Sequence, residues 1–314
     1  MAIKDETEQQ RRSPLVSILI PLFNKEEYVG EALQSALQQT YDNVEVIVID
    51  DGSTDNSLAI VRGFRDHRLH VVSRENRGAN ATRNELLAAA RGEFVQFLDA
   101  DNSIYPTKIS CQVARFGPQI DVVLCHLART DATYEFVSAD NLFTRLATSG
   151  VDTIVPLHRR ATLESIGGWD PQLPSCQEFD LHLRLAAAGL WDNPVVVPEI
   201  LACYRVVADS VSADKLKVFR TKVQVSKRIL DDTVDVDARK ALSTGIANAI
   251  RNVTKFALPR EATHLLKDPA LDLEAARRAY PRRIRWIPSL RLLVLADLLD
   301  FYVKRVLGVP KRRP

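Results

Sequence analysis

Val44-Glu-Val-Ile-Val-Ile-Asp50-Asp51-Gly-Ser-Thr-Asp55 is the stretch whose reading decides the fold. Its opening is almost wholly β-branched, which reads as a strand covered on both faces, as in a parallel sheet. The strand then runs straight into an acidic turn. Upstream, Val16-Ser-Ile-Leu-Ile-Pro21 repeats the pattern, bounded by prolines and followed by Asn24. Asn24 with Glu27 three residues on predicts a capped helix start. Tyr28, Val29, Ala32, Leu33, Ala36 and Leu37 recur at helical spacing behind it. Downstream the alternation continues: a helix near Ser57–Phe64, a short strand at Leu69–Val72, a helix near Ala81–Ala90 and a strand at Phe94–Leu98. Strands separated by helix-length connections predict right-handed βαβ units and a doubly wound, mostly parallel, Rossmann-like α/β sheet.

In such sheets ligands bind beyond the carboxyl ends of the strands. The first strand ends at Pro21-Leu-Phe23-Asn24, the second at Asp50-Asp51-Gly52-Ser53, and the fourth at Asp99-Ala100-Asp101-Asn102. Acidic groups therefore converge on one edge, where like-charge repulsion costs free energy unless a cation or ligand hydroxyls satisfy them. Asp99-Ala100-Asp101 sets two hard oxygen ligands one residue apart, a pattern suited to Mg²⁺ or Mn²⁺ bridging a diphosphate. Such a metal offsets charge on a departing diphosphate. Asp51 can accept a hydrogen bond from a base N–H, and Phe23 offers an apolar face. Turn and capping chemistry explains either acidic motif alone; their placement at successive strand ends favours a site. No GxGxxG follows the first strand and no GxxxxGK[ST] occurs, which argues against a dinucleotide fingerprint and a Walker loop. The lack of a Gly-rich basic loop also argues against a nucleotidyltransferase.

The chain has 314 residues, 46% hydrophobic and 26% charged, an ordinary globular balance with material for a sizeable core. Cys111, Cys125, Cys176 and Cys203 lie far apart with no zinc-ligand rhythm, as expected of free thiols in a reducing compartment. No apolar run is long enough to span a bilayer, and the start lacks the apolar core of a secretory signal. Three parts are expected: a tail over 1–13, the α/β domain over 14–212 and a helical region over 213–314.

The motifs together resemble the family 2 glycosyltransferases: Val16–Asn24, Val48–Asp55, Gly78–Asn84 and Gly92–Asp101 carry the likeness, which extends over about residues 14–210. It implies a GT-A fold and an inverting transfer from a nucleotide-activated sugar, with UDP favoured. By that resemblance Pro21, Phe23 and Asn24 lie along the nucleoside, Asp51 binds the base and Arg83 sits near the base and phosphates. Asp99 faces the ribose or sugar, and Asp101 is the more direct metal ligand. Gly167-Gly168-Trp169-Asp170 matches a turn beside the acceptor, where an aromatic ring can stack on a sugar; the competing reading is a helix C-cap and a buried tryptophan. Gln177-Glu178-Phe179-Asp180 matches the segment carrying the general base, with Gln177 beside the sugar and Glu178 at the base position. Direct displacement at an anomeric carbon needs such a base. Asp180, two residues on and so on the far side of a helix, is the rival. The chain departs from the family at Val207, where a histidine near the metal or diphosphate is expected. That departure, with glutamate in place of aspartate at 178, motivates an alternative: a catalytically silent member that binds nucleotide sugar or glycan.

From Asp214 onward helical spacing recurs over Leu216–Leu230, Val236–Phe256 and Leu271–Tyr280, then in an apolar helix at Ser289–Leu307. From Arg277 to the end there are 11 basic and two acidic residues, a local net of +9 in a chain whose total is +2. An interfacial helix on an anionic membrane fits this segment; a bundle helix with a solvated basic tip fits it too. No nucleic-acid motif accompanies the charge. The expected setting is cytoplasmic, peripheral on the inner membrane face, with a glycan or lipid-linked saccharide as acceptor.

Overall fold

The computed structural model describes residues 13–140, 142–207 and 215–232, together with 238, 241–242 and 244–245. They fall into two compact units. The first holds residues 13–140, 151–172 and 188–207; the second holds 142–150, 173–187 and the described residues from 215 onward. In this division 142–150 and 173–187 group with the helix at 215–232.

The first unit is built on one sheet of nine strands. Its parallel half is β1 (Val16–Leu22), β2 (Val44–Asp50), β3 (Leu69–Ser73) and β4 (Phe94–Phe97), alternating with helices α1 (Val29–Leu37), α2 (Ser57–Gly63) and α3 (Ala79–Ala89). Val16, Ile18, Leu19 and Ile20 of β1, and Val46 and Val48 of β2, are fully buried, as continuous apolar runs require of strands covered on both faces. β1 pairs in parallel with both β2 and β4, and β2 with β3. The ends of β1, β2 and β4 thus share one edge.

The other half follows in chain order as β5 (Ser103–Ile104), α4 (Lys108–Val113), β6 (Val122–Arg129), β7 (Tyr134–Glu135), β8 (Leu157–Arg159), α6 (Arg160–Ser165) and β9 (Val195–Tyr204). The strand order is β3-β2-β1-β4-β8-β6-β9-β5, with β7 against β6. The short ladders β4–β8, β6–β8, β6–β7 and β5–β9 are antiparallel, and the long β6–β9 ladder is parallel. The expected mostly parallel α/β sheet is present, and antiparallel strands extend it past β4.

In the second unit α5 (Leu142–Thr148), α7 (Gln177–Ala187) and α8 (Lys215–Asp232) pack together, α7 contacting both others. α8 contains the expected Leu216–Leu230 helix. The expected helices at Leu271–Tyr280 and Ser289–Leu307, the basic end, and most of Val236–Phe256 lie outside the described residues.

One local expectation is corrected. Asn24 does not cap α1, which starts at Val29 with Tyr28 before it. Asn24 takes a left-handed conformation (φ 49°), which asparagine tolerates better than most residues. Its side-chain oxygen accepts the Thr54 N–H at 2.8 Å, and its own N–H donates to Ser53 Oγ at 3.0 Å. The neighbouring acidic turn competes successfully for the capping oxygen.

Candidate functional site

The loop after β1 is stapled to the loop after β2. Beyond the Asn24 contacts, Lys25 N–H donates to Ser57 Oγ at 2.7 Å, Glu26 N–H to Asp55 at 3.0 Å, and Asn56 N–H back to Glu26 at 2.8 Å. These bonds hold Pro21, Phe23 and Asn24 beside Asp51. Phe23 is 45% exposed, an open aromatic face at a strand end.

Asp51 is 3% exposed and makes contacts from three sources. Oδ1 pairs with Arg74 and accepts the Arg77 N–H at 2.8 Å; Oδ2 accepts the Gly78 N–H at 2.9 Å. The carboxylate thus shapes the loop between β3 and α3, in which Gly78 has φ 89°. An ionised carboxylate has about four acceptor positions, so three bonds leave capacity for one more. Arg74 also bonds Glu85 at 2.7 Å and Thr82 at 3.0 Å. Burial works against its charge, but the hydrogen bonds to Glu85 and Asp51 outweigh it and hold its pKa above the ordinary value. Sequence reasoning missed Arg74, since an arginine just past a short strand carries no motif.

Asp99 and Asp101 follow β4. Arg83 of α3 donates from Nη2 to Asp99 Oδ1 at 2.7 Å, so it is not a surface arginine. Its Nε is buried with no hydrogen-bond partner. Asp101 Oδ2 lies 2.7 Å from Lys25 Nζ, and its backbone oxygen accepts Arg205 Nε at 3.0 Å. The two aspartates offer a donor set of the right chemistry for Mg²⁺ or Mn²⁺, and Asp101 already carries a cationic neighbour in the Lys25 ammonium. Among the described residues no three His, Cys, Asp or Glu gather to cage a metal. A hard divalent ion held here would need its remaining oxygens from substrate phosphates and water, as Mg²⁺ commonly does. Val207 adds no ligand atom.

Trp169 corrects the expectation of a sugar-stacking ring. It is 2% exposed, edge-on to Phe97 at 5.4 Å between centroids, with the Arg83 guanidinium 4.8 Å from its own ring centroid. The T-shaped contact with Phe97 and the Arg83 guanidinium over the ring leave almost none of it open, so the ring positions Arg83. Gly168 has a similar structural task. Its φ is 68°, and a Cβ there would meet Asn84 Oδ1 at 2.5 Å. Asn84 clamps the turn, accepting the Trp169 N–H at 2.8 Å and donating to the Trp169 carbonyl at 2.8 Å. Asn80 donates to the Asp170 carbonyl at 2.6 Å. One face of α3 therefore carries Asn80, Arg83 and Asn84 against this turn.

In the second unit Gln177 and Glu178 open α7, after Cys176 with φ 55°. Asp180 is fully buried, paired with Arg228 and, at 2.9 Å, with Arg184. Lys222 lies 4.8 Å from the Phe179 ring centroid and donates to the Ser149 carbonyl at 3.1 Å. Burial pulls the Lys222 pKa down, opposed by Cys176 and Glu178. Burial pushes the Cys176 thiol up to about 11, and the Glu178 charge adds to that.

Residues 17–155 match the family described as "Glycosyl transferase family 2". Among curated relatives, the putative glycosyltransferase EpsH of Bacillus subtilis is 39% identical over 118 residues, 37% of this chain and 34% of that one. An uncharacterized glycosyltransferase of Haemophilus influenzae is 36% identical over 139 residues, 43% and 53% of the two chains. The matches thus span about a third to a half of these relatives' length. Among solved structures, S. aureus TarS residues 1–349 in complex with UDP align over 95% of this chain and 93% of that one, with TM-score 0.68 and 20% identity. The mannosyltransferase PcManGT of Pyrobaculum calidifontis, in complex with GDP-Man and Mn²⁺, aligns over 96% and 89% with TM-score 0.60 and 21% identity. At such identities the likeness is one of fold, and the fold is GT-A-like.

Proposed function

Because residues 17–155 belong to glycosyl transferase family 2, we propose that the chain is an inverting glycosyltransferase that moves a sugar from a nucleoside-diphosphate donor to an acceptor hydroxyl. The observation that carries this reading is the joint placement of Asp51, Arg83, Asp99 and Asp101 at the shared ends of β1, β2 and β4, each carboxylate held by a named cation. A base N–H donates to Asp51 while Phe23 and Pro21 flank the nucleoside. UDP is the favoured nucleotide, in keeping with the UDP complex of TarS; PcManGT binds GDP-Man with Mn²⁺.

Asp101, with Asp99 beside it, would hold Mg²⁺ or Mn²⁺. The ion, when bound, supplies Lewis-acid neutralisation of the leaving diphosphate. Asp99 and Arg83 orient the ribose and phosphates, the orphaned Arg83 Nε pointing to a donor still unused in the free chain. Glu178 accepts the acceptor hydroxyl proton as the new glycosidic bond forms and the bond to the diphosphate oxygen breaks, inverting the anomeric centre. Gln177 contacts the transferred sugar, and Gly168 shapes the turn near the acceptor. The acceptor is a glycan or lipid-linked saccharide. No described helix is long and apolar enough to cross a membrane; the basic end gives peripheral attachment to the inner, anionic face of the cytoplasmic membrane.

A thermal-shift panel of UDP-, GDP- and dTDP-sugars, with and without Mn²⁺, tests the donor assignment, because a ligand specific to the folded state raises the melting temperature. A selective rise with one nucleotide, followed by release of that nucleoside diphosphate on adding acceptor, is the expected result. Stabilisation by none of them defeats the reading. Binding without turnover on any acceptor favours the silent member, which Val207 motivates.

A further inference from the structure

We propose that Lys25 is a built-in counter-ion of Asp101, which keeps a divalent metal from settling on the empty site and makes metal entry depend on the diphosphate. The inference rests on the reading of Asp101 as a metal ligand. Lys25 Nζ lies 2.7 Å from Asp101 Oδ2, with side-chain exposures of 29% and 17%, so the pair is partly shielded from water yet reachable. The Lys25 backbone is fixed, since its N–H is held by Ser57 Oγ and the residues on either side are bonded to the loop after β2. Only the four-carbon stem of the side chain is left to move. A flexible lysine carries a compact charge with three donors, able to leave one anion for another at small geometric cost.

The neighbouring charges complete the argument. Asp99 is matched by Arg83, and Asp101 by Lys25, so these four groups sum to zero. Arg205, whose Nε holds the Asp101 carbonyl, spends its other end on Glu31 at 2.5 Å. A dication approaching a neutral, lysine-occupied carboxylate gains little and must expel an ammonium. A diphosphate adds negative charge and a second anion for Lys25 to take up, which frees Asp101 for the ion. Linkage makes this reciprocal: diphosphate and metal strengthen each other's binding by the same factor, and that factor is set in part by Lys25.

Mn²⁺ binding, measured by titration calorimetry and by the loss of its free-ion paramagnetic resonance signal, tests this without any turnover. Lys25→Met keeps the apolar stem and removes the charge. Mn²⁺ alone is expected to bind this variant at least tenfold more tightly than the parent chain, and the gain is expected to vanish when Asp101→Asn is added. The factor by which UDP tightens Mn²⁺ is expected to fall by a similar amount. An unchanged or weaker Mn²⁺ affinity in Lys25→Met overturns the proposal, as does a gain that persists in the double variant. Failure of UDP, GDP and dTDP alike to bind any of these chains defeats the glycosyltransferase reading instead, while the measurements with Mn²⁺ alone still decide the role of Lys25.

Discussion

The guanidinium of Arg83 lies 4.8 Å from the ring centroid of Trp169. A buried aromatic face thus sets the direction of an arginine that also donates to Asp99. Cation–π contacts of partly desolvated arginine contribute about 1–2 kcal/mol. Trp169→Leu removes that face while keeping most of the apolar volume. The expected outcome is a several-fold rise in KM for the sugar nucleotide with the acceptor KM unchanged. A rise confined to the acceptor KM would restore Trp169 to a sugar-stacking role.

Gly168 and Asn84 form a second pair open to test. Gly168→Ala places a Cβ against Asn84 Oδ1 at a backbone angle that side chains avoid, at a cost of roughly 1–3 kcal/mol. Denaturant unfolding should register that loss. Asn84→Ala removes the clash and also both hydrogen bonds to Trp169. The double variant is therefore expected to be more stable than the sum of the two single losses predicts, keeping the positive-φ strain and the two lost hydrogen bonds but not the clash. Strict additivity would mean that the turn relaxes away from α3.

Much of this architecture was legible in the chain. Continuous apolar, largely β-branched runs in β1 and β2 marked the parallel half, since strands covered on both faces carry them, and the acidic strand ends marked the candidate edge. The antiparallel additions were harder: β5, β7 and β8 are two or three residues long, too short for periodicity to register. Trp169 was read as a ring for sugars because a Gly-Gly-Trp turn looks the same whether its ring points outward or into Phe97. Arg74 and Lys25 escaped because ion pairs between distant loops leave no spacing in sequence. The grouping of 142–150 with α7 and α8 was hidden for the same reason, as it depends on contacts between segments far apart in the chain.

Lys108 is a case in which no motif announces a strong effect. Its side chain is fully buried and donates to Gln96 Oε1 at 2.6 Å, Gln112 Oε1 at 2.5 Å and the Val155 carbonyl at 3.3 Å. Every acceptor is neutral, and burial lowers its pKa from 10.5 to about 8. Between those values the unfolded chain holds a proton that the folded chain releases, so stability rises with pH across the window and is lost as the pH falls towards 8. The full effect is about 3 kcal/mol. Buried Cys125 has the opposite sign, because its raised pKa keeps a proton on the folded state when the unfolded thiol has lost it. The comparison with Lys108→Met isolates the lysine. The stability of the parent relative to that variant is expected to climb by more than about 1 kcal/mol between pH 7.5 and 9.5. Parallel curves would mean that Lys108 titrates as an exposed lysine does.

Glu178 and Asp180 share one turn of α7 but are assigned opposite tasks. Asp180 is enclosed by Arg184 and Arg228 within its own unit, and neutralising it leaves two partly exposed guanidinium groups without their shared anion, a loss of roughly 1–3 kcal/mol. Both carboxylate oxygens are bonded to a guanidinium and the side chain is fully buried, so neither oxygen is open to an acceptor hydroxyl. Asp180→Asn is therefore expected to lower the melting temperature by several degrees, with whatever enzyme stays folded turning over at close to the parent rate. Glu178→Gln changes neither volume nor helix propensity appreciably and removes only a charge near Lys222, so the variant is expected to stay folded. Its kcat should fall by roughly 10²–10⁴, the usual contribution of a positioned base. The pH profile adds a readout that folding does not move: loss of the base removes the acidic limb of the kcat/KM curve, and Asp180→Asn leaves that limb in place. If Glu178→Gln retains the parent rate and Asp180→Asn loses it without unfolding, the base assignment passes to Asp180.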